Sequence, residues 1–310
     1  MTPFSPTRLC RVVVLALLVS GFVSGREETD PEPITVVFYN VKNYLAMDRR
    51  IDGEVFENAG KLEAEVNEVV GAILLTAPDI LSICETGDES FLEDLQKRLA
   101  EGGLDLPHSE LVRDSAGYDR NLAVLSRFPI VTSESRDDYT YTLEGKKMAH
   151  QRGVIDTKFV INPQYHLRVI GLHLKSKREV PEADQALMRL NEARLAREHI
   201  DRHFDEEPGA NILVVGDFND LRIEPPVKAL QGGFGRDGFL SSLTLSDQYG
   251  FRWTHHWSYA DSYARFDYAL TSKGLSPEIE RDESYIYHWE KWDTASDHRP
   301  IVVRITPKDR

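Results

Sequence analysis

Asn40, Glu85, Asp217, Asn219 and Asp297 offer oxygen atoms, and His173 and His298 offer imidazoles, at points scattered along a 310-residue chain. The stretches that hold them are expected at the C-terminal ends of apolar, strand-like runs, so that a folded sheet gathers them at one rim. Oxygen donors of this kind suit a hard divalent cation, Mg²⁺ or else Mn²⁺ or Ca²⁺. With the imidazoles they predict hydrolysis of a phosphate ester: a cation polarises the phosphoryl oxygen, a base orients water, and donors stabilise the developing charge. No cysteine–histidine zinc spacing competes with this set.

The elements that must position these groups follow from pattern. Residues 34–41 are β-branched and aromatic and read as a buried strand ending near Asn40. A helix is predicted over 57–76, with Leu62, Val66, Val69, Val70 and Ile73 on one stripe and Pro78 stopping it. A second buried strand, 79–84, delivers Glu85, and a short helix follows over 89–100. Strands are then predicted over 121–126, 153–161, 167–174, 211–215, 266–271 and 301–305, with the longest helix over 182–204. Strands dominate, yet two amphipathic helices must each cover a sheet face. A four-layer α/β/β/α sandwich of two mainly antiparallel sheets satisfies both demands, with the chemistry on loops at one edge.

The first 25 residues stand apart. Arg8 and Arg11 precede the apolar run 12–19, and small residues follow up to Gly25. This reads as a secretory signal peptide, followed by a short linker over 26–33 and one catalytic domain over 34–306. The expected protein is exported, periplasmic or secreted, with membrane anchoring by an uncleaved leader as second choice. Removal of the leader takes Cys10 with it, so no internal disulfide forms, and Cys84 reads as a small core residue. The formal charge of −14 argues against tight nonspecific binding of polyanions, though part of it can belong to a cation site. Nothing implies a stable protein partner, and a monomer is expected.

Six segments, in order, resemble the endonuclease/exonuclease/phosphatase superfamily: Phe38-Tyr39-Asn40-Val41, Ile83-Cys84-Glu85, Gly171-Leu172-His173-Leu174, Gly216-Asp217-Phe218-Asn219, Arg265-Phe266-Asp267-Tyr268 and Ser296-Asp297-His298-Arg299-Pro300. The resemblance spans residues 34–306. It implies that Glu85 is a direct metal ligand, with Asn40 and Asp297 close to the metal or its waters. It further implies that Asp217 orients or deprotonates water, that Asn219 positions Asp217 and the phosphate, and that Asp267 holds His298 in one tautomer. His298 then serves as base or charge stabiliser. His173 would donate to a phosphoryl oxygen or the leaving group, which favours the deoxyribonuclease-like and sphingomyelinase-like branches over the abasic-site branch.

Other residues are weighed with these. Arg152 fits a phosphate clamp or a surface salt bridge equally well, and Lys175 and Lys177 add positive potential at the mouth. His199 and His203, spaced i, i+4 but without a following Glu, read as a solvated helix face. In the aromatic segment 251–263, packing of Trp253 and Trp257 against the sandwich is favoured over contact with a base or lipid, and this segment and 102–120 are expected to set substrate choice. The leading expectation is a metal-dependent phosphodiesterase of nuclease type acting as an endonuclease. Its rivals are a phospholipid phosphodiesterase or small-molecule phosphatase of the same fold, and a noncatalytic secreted binding module.

Overall fold

The computed structural model describes Met1 and residues 31–309. The leader expected over 1–25, and most of the linker, lie outside the described residues. No helix among the described residues is long and apolar enough to cross a membrane.

Two six-stranded sheets face each other. The first runs Tyr285–Ile286, Ile301–Ile305, Ile34–Tyr44, Ile80–Thr86, Asn121–Ser126, His108–Val112, and the second Ser241–Ser242, Asp267–Thr271, Ile212–Asp217, Tyr165–His173, Val154–Asn162, Ile130–Ser133. Each has a single parallel pair, Ile34–Tyr44 with Ile80–Thr86 and Tyr165–His173 with Ile212–Asp217. The remaining pairs are antiparallel. Helices α1 (Glu63–Thr76) and α2 (Glu89–Glu101) cover the outer face of the first sheet, and α3 (Gln185–Glu206) and α4 (Pro225–Gln231) that of the second. The four-layer sandwich is thus present.

Alternation along the strands sorts the core into three layers. Val36, Phe38, Ile80, Val169, Leu213, Val215 and Ala269 fill the space between the sheets. Val37, Tyr39, Leu81 and Ile83 instead meet Val69, Ile73, Leu95 and Leu99 of α1 and α2. Ile170, Leu172, Val214 and Leu270 meet Ala193, Ala196 and Ile200 of α3. Cys84 lies in the layer between the sheets, fully buried. The sheets approach closely at Gly171, where an added Cβ would stand 2.7 Å from Ser82 Oγ. Any side chain there would push them apart.

Two expected boundaries need correction. Residues 54–59 are strand, not helix, and α1 begins only at Glu63. Strand Glu54–Ala59 pairs with Met47–Ile51 across Asp52-Gly53, both at positive φ, as a two-residue hairpin turn requires. A second small hairpin, Thr140–Leu143 with Lys146–Ala149, turns on Glu144-Gly145 in the same way, and a third joins His255–Trp257 to Ser262–Ala264. The long helix runs 185–206 rather than 182–204, and its buried face holds Ala193, Ala196, Ile200 and Phe204 together with polar groups. Leu187 is exposed, while Met188, Arg189 and Glu192 are buried.

Candidate active site

Strand parity explains why the acidic and imidazole groups converge. Leu213 and Val215 face the other sheet, so Asp217, two residues on, must do so as well. The same step carries Val169 through Gly171 to His173, and Ala269 back to Asp267. Register sets these three side by side, His173 opposite Asp217 and Asp217 opposite Asp267. On the first sheet Val36 and Phe38 lead to Asn40. Asp267 and the loop with Asp297 and His298 precede their strands instead of ending them, a departure from the expected placement. Those strands run antiparallel to their neighbours, so the rim is the same.

Glu85 follows no such rule. Its parity matches Leu81 and Ile83, which point at the helices, yet a register shift and a left-handed backbone, φ 65°, turn it to the rim. There one carboxylate oxygen accepts from Asn43 N at 3.0 Å and the other from Asn40 Nδ2 at 3.3 Å. Asn40 Nδ2 also donates to Asp217 Oδ2 at 3.1 Å, linking the two sheets. Asn219, itself at φ 51°, donates its backbone N–H to Asp217 Oδ1 at 2.9 Å and its amide to Leu174 O at 3.1 Å. Asp217 is thereby aimed by two donors while Oδ2 stays on the cleft side.

His298 Nδ1 meets Asp267 Oδ2 at 2.8 Å, and its Nε2 lies 3.6 Å from Asp217 Oδ2. Burial opposes charge on this imidazole, but the carboxylates of Asp267 and Asp217 outweigh it and hold the ring protonated up to about pH 10. Burial, against the pull of His298 and with the push of Asp267 and Glu85, raises Asp217 to about 7. His173 is the opposite case: burial, then Arg152 and His298, drive its pKa well below the usual value, so it is neutral. Its Nδ1 is buried without a partner, which places the single ring proton on Nε2, because a bare lone pair costs less than an unmet N–H. That Nε2 stands 3.7 Å from Asp217 and 3.9 Å from Glu85. His298, Lys42 and His255 overcome burial at Asp297 and keep it ionised.

These groups line a cleft of about 680 Å³. Arg120, Arg152, Lys175 and Arg178 line it, and so do Asp119, Glu179 and Glu182. Arg152 is buried rather than part of a surface salt bridge. Its Nε lies 3.9 Å from Asp114 Oδ2, and neither atom has a hydrogen-bond partner. Lys175 Nζ lines the cleft but donates to Ser176 O and Arg178 O. Lys177 is held at 2.6 Å on Asp220, which also takes Arg189 at 2.9 Å, and does not line the cleft. Sequence reasoning missed Arg120, 4.0 Å from Glu85, and His255, whose ring stacks on Phe266 and stands 4.6 Å from that of His298. Burial and the charge of His298 depress His255 to about 4, so it too is neutral. It also missed Arg189 and Glu192, which reach from α3 to Lys175 O and Lys175 N and fix the cleft wall.

The aromatic segment divides. Trp253 lies under Arg299, 3.3 Å from guanidinium carbon to ring centre, and packs on Tyr263 and Trp292. Trp257 is exposed, against the expectation that both pack.

The donor set can accommodate a hard cation. Glu85, Asp217 and Asp297 bring three carboxylates to one cleft, and Asn40 Oδ1 takes only the Lys42 N–H at 3.0 Å. Asp217, Asp267 and His298 also lie close enough to share an ion. The His298 ring is held protonated on both nitrogens and has no lone pair to give, so the Glu85 side is the better fit.

The sequence model of the endonuclease/exonuclease/phosphatase family matches residues 38–298, the span that contains every group above. The chain belongs to this family of phosphoesterase hydrolases. No curated protein sequence matches it significantly. Among solved structures it is similar to truncated Caenorhabditis elegans TDP2, at 16% identity over 88% of this chain and 97% of that one, with a TM-score of 0.59. Sphingomyelinase C from Streptomyces griseocarneus is similar at 17% identity, 89% and 100% coverage and a TM-score of 0.60. The human nocturnin catalytic domain with bound sulfate gives 16%, 89%, 95% and 0.59. These likenesses establish the fold.

Proposed function

We propose that the chain is a divalent-cation-dependent phosphodiesterase whose leading substrate is the phosphodiester backbone of nucleic acid. The observation that carries this reading is the pairing of a buried carboxylate of raised pKa, Asp217, with a protonated His298 3.6 Å away. Asp217 accepts the proton of an attacking water, oriented by the Asn219 and Asn40 hydrogen bonds. His298, kept charged by Asp267, faces the phosphoryl oxygens as a charge stabiliser rather than as a base. His173 donates its Nε2 proton to a second oxygen or to the leaving group. Arg120 and Arg152 supply positive potential for the substrate's remaining negative charge. Glu85, with Asn40 and Asp297 at its waters, would hold the cation, which supplies Lewis-acid polarisation of the phosphoryl group. Attack in line on phosphorus needs no covalent enzyme intermediate.

A second reading, a small phosphodiester or phosphomonoester as substrate, draws support from the net charge of −14 and from the mixture of acidic and basic side chains that line the cleft. Parallel assays on plasmid DNA, sphingomyelin and inositol phosphates, with and without EDTA, decide between the two. Turnover of DNA that survives excess EDTA would refute the metal-dependent scheme. Turnover of inositol phosphates alone would replace the leading substrate. We further propose that the protein acts as an exported monomer, which fractionation of expressing cells and light scattering can check.

A further inference from the structure

Outside the cleft, on the helix-facing side of the second sheet, three buried groups converge on one point. His199 Nε2 and His203 Nε2, one turn apart on α3, approach the same oxygen, Asp156 Oδ2, at 2.7 and 2.6 Å. This overturns the reading of the two histidines as a solvated face, since all three side chains are essentially inaccessible. Asp156 follows Ile155, which faces the other sheet, so parity points its side chain at α3.

Neighbouring side chains occupy the other donor atoms of Asp156 and His199. Asp156 Oδ1 is taken by Arg168 at 2.6 Å, leaving Oδ2 as a single donor atom. His199 Nδ1 is met by Tyr139 Oη at 2.8 Å, the kind of outer partner that fixes a ligating imidazole. The three ligand atoms lie within 4.8 Å of one another. We infer that Asp156, His199 and His203 form a zinc site that clamps α3 to the second sheet, with water as the fourth ligand. Two imidazoles and one carboxylate favour Zn²⁺ over Mg²⁺, which prefers oxygen donors. Ligand bonds of ~2.0–2.1 Å in a tetrahedron put donor atoms ~3.3 Å apart, so the cluster opens by ~0.7 Å on loading.

Proton bookkeeping is consistent. Arg202 Nη2 donates to His199 Nδ1 at 2.7 Å, so without metal the ring proton of His199 sits on Nε2. On loading, the Nε2 proton of each histidine shifts to its own Nδ1, freeing both Nε2 lone pairs for zinc, and on His199 Tyr139 Oη accepts the Nδ1 proton. Arg202, exposed, swings away from Nδ1 and keeps its 2.7 Å bond to Tyr139 Oη. The consequence reaches the cleft, because the same helix carries Arg189 and Glu192 to the Lys175 loop.

The test uses the full chain, stripped by chelator and given ZnCl₂ in a large excess of MgCl₂. Wild type should retain one zinc per chain after dialysis and show a rise in Tm over the magnesium-only sample. Glu85→Gln, which weakens the cleft site, should retain both effects. His203→Gln keeps an N–H donor for Asp156 and should fold in magnesium alone, yet lose the bound zinc and the rise in Tm. Co²⁺ in place of zinc should give wild type the visible absorption of a four- or five-coordinate ion, whatever the stability of the variants. Retention of zinc by His203→Gln, its loss in Glu85→Gln, or a Co²⁺ sample without that absorption would reduce the cluster to a hydrogen-bonded pin.

Discussion

Replacing Asp267 by Asn tests the charge relay at the centre of the proposed site. In the wild type His298 is raised from 6.5 to about 10 against the opposing effect of burial. That rise is worth about 5 kcal/mol, and because burial works against it the carboxylates of Asp267, Asp217 and Asp297 together supply more. Asp267, bonded to Nδ1 at 2.8 Å, leads them. Its removal should cost about 2–3 kcal/mol of imidazolium stabilisation, or about 10²-fold in kcat. An Asn side chain can accept from Nδ1–H of a charged ring but brings no countercharge, or it can donate to Nδ1 and favour the neutral ring. Either way the charge that faces the phosphoryl oxygens is no longer held by a buried carboxylate behind it.

Three measurements make the argument refutable. Steady-state hydrolysis of bis-p-nitrophenyl phosphate gives kcat, NMR titration of the His298 ring gives its pKa, and a denaturant melt reports the fold. The expected result is a ~10²-fold loss of kcat, a His298 pKa lowered by about 2, and a variant that still binds Mg²⁺. Because the two residues act as one unit, Asp267→Asn combined with His298→Ala should lose little beyond His298→Ala alone. A kcat within threefold of wild type, an unmoved His298 titration, or fully additive losses would show that Asp267 does not act through His298.

Further outcomes follow from the same geometry. Glu85→Ala should lose activity that high Mg²⁺ partly restores, whereas Asp217→Asn should bind metal and stay inactive at any Mg²⁺; equal rescue would contradict their separate roles. Asp217 must be ionised to accept a proton, so kcat should fall with decreasing pH through a limb at or below about 7, the cation-free value, with a bound cation drawing it lower. The folded-state pKa of Asp217 is raised, so its ionisation destabilises the cation-free protein as pH climbs from the unfolded value of ~3.9 towards about 7. Asp217→Asn should consequently be about 1–3 kcal/mol more stable than wild type at pH 8 in EDTA, with no gain at pH 4, by urea unfolding. Trp253→Ala should cost about 3 kcal/mol by removing the ring under Arg299, while Trp257→Ala should leave stability within about 0.5 kcal/mol.

Much of the cleft was legible because a strand has a period of two. Once Leu213 and Val215 are assigned to the inter-sheet core, the direction of Asp217 follows, and the same holds for Asn40, His173 and Asp267. Glu85 was legible by its place after an apolar run, but not the means by which it reaches the rim. A single residue at φ 65° reverses its direction, and no local pattern announces that. The hairpin ahead of α1 did have a signal, Asp52-Gly53, and the helix expected from residue 57 overlaps its second strand only over residues 57–59. Arg120 sits on a loop and His255 at the start of a small hairpin, and both join the site through chain reversals whose geometry is fixed only by tertiary contacts.

Helix α3 shows where pattern reading fails for a physical reason. Its buried face carries Arg189, Glu192, His199 and His203 beside Ala193, Ala196 and Ile200. Read by hydropathy alone, polar residues on that face look like solvent exposure, as His199 and His203 did. Burial of polar groups is tolerated when each finds a partner, and here the partners come from distant segments: Asp220 for Arg189, Lys175 N and Gln151 N for Glu192, Asp156 for both histidines. A helix window contains none of them. The polar contacts divide by position along α3, the first turns holding the cleft wall and the last turns meeting Asp156. A helix held at both ends by polar bonds has its rotation fixed more sharply than apolar packing alone would fix it, and rotation decides whether Glu192 reaches the Lys175 loop. Polar burial on α3 therefore belongs to the same design as the cleft, although it lies on the opposite face of the sheet.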